Sequence, residues 1–163
     1  MKISEHVIQS ILMKWLMEEK HHEFVIPNST SLFGTWESDL VSVTKSGLLH
    51  EFEIKISRSD FKKDADKYKH HHIGKDSYSP AYFWYVTFGF EIEVPEKAGW
   101  IEIVSKRDKY KILIRKEAPR LNTWKPNKET QIARLLSWRL TNLYAKESGI
   151  DYSIFQTWDK ETR

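Results

Sequence analysis

Phe52-Glu53-Ile54-Lys55-Ile56-Ser57 (FEIKIS) alternates apolar and polar residues with a period of two. In an extended strand, residues two apart share a face. Phe52, Ile54 and Ile56 therefore point one way, and Glu51, Glu53 and Lys55 the other. A strand with Glu-x-Lys on its second face is either solvated on that face or part of a site. Upstream, Trp36–Thr44 (WESDLVSVT) reads as a strand and Lys45-Ser46-Gly47 as a hairpin turn, with glycine able to take a positive φ. Leu48–Ser57 returns antiparallel. Opposed residues across such a hairpin have a constant sum of positions, about 92 for a turn centred near Ser46. Asp39 and Glu53 then lie opposite each other, with Cβ atoms about 5 Å apart. Lys55 is one same-face step further on.

Two opposed carboxylates repel and destabilise a plain sheet. A divalent cation between them removes the repulsion. Mg²⁺ suits such a pair, because it takes one or two carboxylates and completes its shell with water and phosphate oxygens. A neighbouring lysine can orient or deprotonate a metal-bound water, and the chemistry served is phosphodiester hydrolysis. The bland alternative is a solvated hairpin face carrying ordinary cross-strand charges. Glu37 shares a face with Asp39 and reads as a strand-edge charge or as a group supporting the site, and Glu51 reads as exposed.

Around the hairpin, Ile3 to about Glu19 has apolar residues at helical spacing, with Ser4 as N-cap and Ile3 and Ile8 as a staple across it. Glu23–Ile26 reads as a short strand closed by a Pro27-Asn28-Ser29 turn. Ser59 is a candidate N-cap for a polar helix from Asp60 to His72. Ala81–Phe88 (AYFWYVTF) reads as a strand covered on both faces. Trp100–Val104 and Tyr110–Ile114 form a second hairpin. Asn127 caps a final helix running to about Glu147, with Ile132, Leu135, Leu136, Leu140 and Leu143 apolar and Gly149 after it. Tyr152, Ile154, Phe155 and Trp158 suggest that the C-terminal stretch docks. This order predicts an α/β (α+β) protein with helices covering a mixed sheet.

The 163 residues are read as a single domain, 1–163, and an apolar content of 40% is enough for a core. No stretch approaches the roughly 20 apolar residues of a membrane span, and no signal-peptide core is evident. The chain has no cysteine, which excludes disulfides and thiolate metal sites and fits a cytoplasmic location. A net charge of +3 permits a nucleic-acid partner without requiring one.

The stretch WESDLVSVTKSGLLHEFEIKISRSDFKKD resembles the active-site hairpin of the PD-(D/E)XK nuclease superfamily, the restriction-endonuclease-like fold. More narrowly, the chain is similar to phage and bacterial proteins grouped with the MmcB-like DNA-repair nucleases. The likeness rests on E-x-K followed by Ser57, Asp60 and Phe61, then Lys69-His70, a YFWYV strand and Val94–Gly99 (VPEKAG). It runs over roughly residues 1–121. It implies an αβββαβ core, here extended by a C-terminal hairpin and helix. It implies metal ligation by Asp39, Glu53 and the backbone carbonyl of Ile54, with Glu5 as an auxiliary ligand, and Lys55 as the catalytic lysine beside Asp39 and Glu53. The cofactor would be Mg²⁺, with Mn²⁺ as a substitute. The family's strand after the second helix often ends in proline. Thr87-Phe88-Gly89 stands there instead, which is expected to alter a loop near the site.

The implied activity is hydrolysis of DNA in repair, recombination or phage DNA processing, on duplex, branched or single-stranded substrate. Lys62, Lys63, Lys67, Lys69 and His70 form a candidate nucleic-acid track, or else a solvated helix face. Dimers are common in such folds, and two active sites are needed to cut both strands of a duplex. The competing readings are a nucleic-acid-binding module of the same fold without turnover, and a structural subunit of a larger complex.

Overall fold

The hairpin forms in the register expected from a turn centred on Ser46. Leu40 lies opposite Phe52, Val41 opposite Glu51, Ser42 opposite His50 and Val43 opposite Leu49. Gly47 takes φ 85°, and the turn closes with Thr44 N–H donating to Leu48 O at 3.0 Å. The computed structural model describes residues 3–29, 37–64, 79–106 and 109–149. In chain order its elements are α1 (Glu5–Glu18), β1 (Phe24–Ser29), β2 (Ser38–Val43), β3 (Leu49–Lys55), α2 (Arg58–Asp64), β4 (Tyr82–Phe88), β5 (Gly99–Lys106) and β6 (Lys109–Lys116). A π-helical turn, Lys128–Ile132, then leads into α3 (Ala133–Ser148).

The six strands make one mixed sheet in the order β1-β2-β3-β4-β5-β6. β1, β2 and β3 are antiparallel neighbours, β3-β4 and β4-β5 are parallel, and β5-β6 is antiparallel. The protein is thus of mixed α/β class.

α1 covers one face. Its Ile8, Leu12 and Leu16 pack with Leu40, Phe52, Ile54, Trp84, Val86, Ile101 and Ile103. Each such fully buried aliphatic side chain contributes about 1.5–3 kcal/mol relative to exposure. The other face carries two separate apolar clusters. Ile132, with Leu135 and Leu136 of α3, covers Ile26, Val41, Val43 and Leu49. Phe61 of α2 and Leu121 cover Phe83, Tyr85 and Ala98, with Phe61 edge-on to Tyr85 at 5.0 Å. β4 is therefore apolar on both faces, as its unbroken aromatic run predicts.

Several local expectations are corrected. Pro27-Asn28-Ser29 does not close β1, because the strand runs through it to Ser29. β1 is the edge of the sheet, where proline's missing N–H is tolerated, and Asn28 takes φ 48°. Ser57, not Ser59, caps α2, its Oγ accepting from Asp60 N–H at 3.1 Å. Ser4 caps α1 without a side-chain bond, its carbonyl accepting from Val7 N–H at 3.1 Å. Asn127 does cap the final helix, accepting from Thr130 N–H at 3.0 Å, and Gly149 ends it at φ 68°. Leu140 and Leu143, expected on its apolar side, are however exposed, while Ala145 is buried. Trp36, the polar helix beyond Asp64 and the aromatic residues after Gly149 lie outside the described residues.

Candidate active site

β2 loses its regular backbone pairing on both sides at Asp39. The last backbone pair with β3 is Leu40–Phe52, and next to it the Ile54 N–H donates instead to Asp39 Oδ2 at 2.7 Å. Towards β1, Pro27 pairs with Leu40 and Ser29 with Ser38, skipping the position between. The Asp39 carbonyl there accepts from Gln9 Nε2 at 3.0 Å. The same nitrogen lies 2.8 Å from Asn28 Oδ1 and 3.2 Å from Glu5 Oε1. His6 Nδ1 is 3.0 Å from Gln9 Oε1, an atom that can only accept, so the proton sits on His6 Nδ1. A helix glutamine therefore fills the place that the missing Asn28–Asp39 pair leaves in the ladder, and Asp39 is held by main chain and side chain together.

Glu53 and Lys55 flank the peptide that Asp39 holds. Lys55 Nζ meets Glu53 Oε1 at 2.7 Å, and each side chain is only 2% exposed. Glu51, expected to be exposed, is fully buried and accepts from Ser38 Oγ at 3.0 Å. The solvated-face reading thus fails for all three residues. They form a polar strip between two apolar clusters. The strip continues sideways across the sheet, where Lys55 pairs with Thr87 and Thr87 with Glu102. Trp100 Nε1 donates to Thr87 Oγ1 at 2.9 Å, and Arg115 holds Glu102 at 2.7 Å.

The expected residues are thus distributed unevenly. Asp39, Glu53, Ile54 and Lys55 come together. Glu5 sits one hydrogen bond away, on Gln9. Lys62 and Lys63 are exposed on α2, while Lys67, Lys69 and His70 lie outside the described residues. Glu37 is exposed, as a strand-edge charge should be. No group of three or more histidine, aspartate or glutamate side chains placed for a metal occurs among the described residues. A two-carboxylate set with a backbone carbonyl fits Mg²⁺, which keeps several waters, and does not fit a closed zinc site. The bonds to Asp39 and Glu53 are compatible with that role, since a carboxylate offers about four lone-pair sites.

Sequence reasoning missed Gln9 and Asn28, one polar residue within a helix stripe and one read as a turn. It also missed His50. On the α1 face, Trp84 Nε1 donates to His50 Nδ1 at 3.1 Å, and His22 Nδ1 lies 2.6 Å from Ser42 Oγ. The two imidazoles meet edge-on at 4.9 Å. Burial, and then the nearby His22, lower the pKa of His50 to about 3. Burial, and then Lys20, lower that of His22 to about 4. His22 is therefore neutral near pH 7, although it follows the C-terminus of α1.

The molecule so described is a mixed α/β domain with a buried Glu53–Lys55 pair beside a half-buried Asp39, where the backbone pairing of its central hairpin ends. No family model matches the chain, and no curated protein matches it. A solved structure of a Silicibacter pomeroyi protein of unknown function is similar, with a TM-score of 0.61 and 15% identity over 93% of this chain and 99% of the other. That likeness is one of fold. Among the described residues, no helix is long and apolar enough to cross a membrane.

Proposed function

We propose that the protein is a metal-dependent nuclease that hydrolyses DNA phosphodiester bonds, with Asp39, Glu53 and Lys55 as its reactive groups and a PD-(D/E)XK type of core. The observation that carries the reading is the Glu53–Lys55 ion pair, 2% exposed and flanking the peptide that Asp39 grips. A buried ion pair is weak support for stability, and a well-packed apolar pair of similar volume often does as well or better. The Glu53–Lys55 pair lies in a buried polar strip between two apolar clusters, where a catalytic role accounts for its presence. The order α1-β1-β2-β3-α2-β4 also follows the αβββαβ pattern that the sequence resemblance implies.

Asp39, Glu53 and the Ile54 carbonyl would hold Mg²⁺, with Mn²⁺ as a substitute. Bound there, the ion would lower the pKa of a water and offset charge on the phosphate. Lys55 supplies a fixed positive charge and a proton-bearing nitrogen beside the attacked phosphorus, and Glu53 orients that nitrogen through the 2.7 Å contact. Asp39 is itself positioned, its carbonyl by Gln9 and its carboxylate by the Ile54 amide. Glu53 and Lys55 are buried and Asp39 is half-buried, so Asp39 is the member of the cluster most open to solvent.

The test is cleavage of plasmid, branched and single-stranded DNA with Mg²⁺, with Mn²⁺ and with EDTA. The expected outcome is cutting of at least one substrate with either metal and none with EDTA. DNA binding without cutting under every condition would replace this reading with that of a binding module.

A further inference from the structure

Beside the gripped aspartate, the β1 edge of the sheet opens into a cleft of about 610 Å³ between α1, β1 and α3. Gln9 and Asn28 line it, the same two side chains that bond to each other while Gln9 holds the Asp39 carbonyl. The cleft therefore begins one residue from the candidate active site. Its far wall is α3, which contributes Arg139, Asn142 and Lys146. These are spaced three and then four apart and so share one helix face. His6 of α1 adds a further polar group. Against the two cations stands one exposed carboxylate, Glu37, so the lining keeps an excess of positive charge.

Arg139 Nε is buried and has no hydrogen-bond partner among the described residues. A buried donor without an acceptor is costly, about 1–3 kcal/mol and more for a charged group. Nε is closed to solvent, so an outside anion meets the half-buried Arg139 through its two Nη groups, whose N–H fork matches two oxygens of a phosphate. In the wall of a positively charged cleft, that fork suits an anion supplied from outside the fold. Met13, Pro27 and Leu143 add apolar surface of the kind a sugar or base packs against.

We propose that this cleft seats a backbone phosphate of the nucleic-acid strand being cut, with Arg139 as the fork and Lys146 as a second charge. The α1–α3 cleft is then the strand's path to Asp39, Glu53 and Lys55. The inference rests on the nuclease reading for its substrate. Its test reads binding, so the two can fail separately.

The experiment measures anisotropy of a labelled oligonucleotide, single-stranded and duplex, across a salt series with Ca²⁺ present. Asp39→Asn serves as the non-cutting parent. Arg139→Lys keeps the charge and loses the fork, and is expected to weaken binding by about tenfold or more, the scale of a lost charge-assisted hydrogen bond. Lys146→Ala, at an exposed position, is expected to weaken binding evenly across sequences and to reduce the salt slope by about one. Inorganic phosphate should displace the oligonucleotide from the parent more effectively than from Arg139→Lys. Unchanged affinity and salt slope in both variants, with parent-like circular dichroism, overturn the proposal. So does phosphate that saturates the parent, as followed by NMR shifts, without displacing the oligonucleotide. That result would make the cleft a site for free phosphate. If Asp39→Asn cuts as fast as the unaltered protein while both cleft variants lose binding, the catalytic reading fails and the cleft stands.

Discussion

At the scale of single residues, the two faces of β3 treat charge in opposite ways. On one face Glu53 and Lys55 are buried as an ion pair. Removing one partner of such a pair costs about 3–5 kcal/mol, because the other is left buried without its counter-charge. On the other face burial keeps His50 and His22 neutral, with pKa values lowered to about 3 and about 4. An unfolded histidine titrates near 6.5. Between those values the unfolded chain binds more protons than the folded one, so stability rises with pH through this window. The protein should therefore lose stability as pH falls from about 6.5 towards 4, with a steeper slope than carboxylates alone produce. His50→Gln keeps an acceptor for Trp84 and removes the titration. Urea midpoints measured from pH 7 to 4 should flatten in that variant, and an unchanged slope would mean that His50 does not drive the acid sensitivity.

At the scale of elements, β5 shows how closely the sheet is packed over Trp84. A Cβ on Gly99 would lie 2.4 Å from Trp84 Cε3 and 2.7 Å from the Ala118 amide nitrogen. Trp84 is clamped in the α1-side core and the other contact is backbone, so neither yields cheaply. Gly99→Ala should destabilise by about 1–3 kcal/mol, the range for overpacking, read as a lowered urea midpoint. A midpoint equal to the parent's would show that the ring or the Ala118 backbone gives way. The same scale shows what the sequence makes legible. The β2-β3 register followed from one turn and a period of two, and both-face burial of β4 from its unbroken apolar run. Asp39 meeting the Glu53–Lys55 peptide followed from that register. What stayed hidden depends on contacts far apart in the chain. Pro27-Asn28 has the composition of a turn, and only its place at the sheet edge makes it a strand. Gln9 is one polar residue in a helix, and its role appears only once Asn28 and Asp39 are brought to it. Leu140 and Leu143 continue an apolar stripe, yet both are exposed.

Across the whole molecule, three features converge on the hairpin's open end. The apolar clusters leave a polar strip along Glu51, Glu53 and Lys55. The break in the β1–β2 ladder at Asn28 lets α1 reach Asp39 through Gln9. The α1–α3 cleft opens at the same place on the sheet edge. The exposed lysines of α2, Lys62 and Lys63, lie a few residues after Lys55, on the helix that packs over Tyr85. The central claim is that this convergence performs phosphodiester hydrolysis with Lys55 as a catalytic group. The most direct measurement is single-turnover DNA cleavage by Lys55→Ala at saturating Mg²⁺, with the rate expressed per folded molecule as determined by circular dichroism. The account predicts a fall on the order of 10²-fold or more, the scale for loss of one positioned proton-transfer or charge-stabilising group, with DNA binding in Ca²⁺ retained. Cleavage at the parent rate would contradict it.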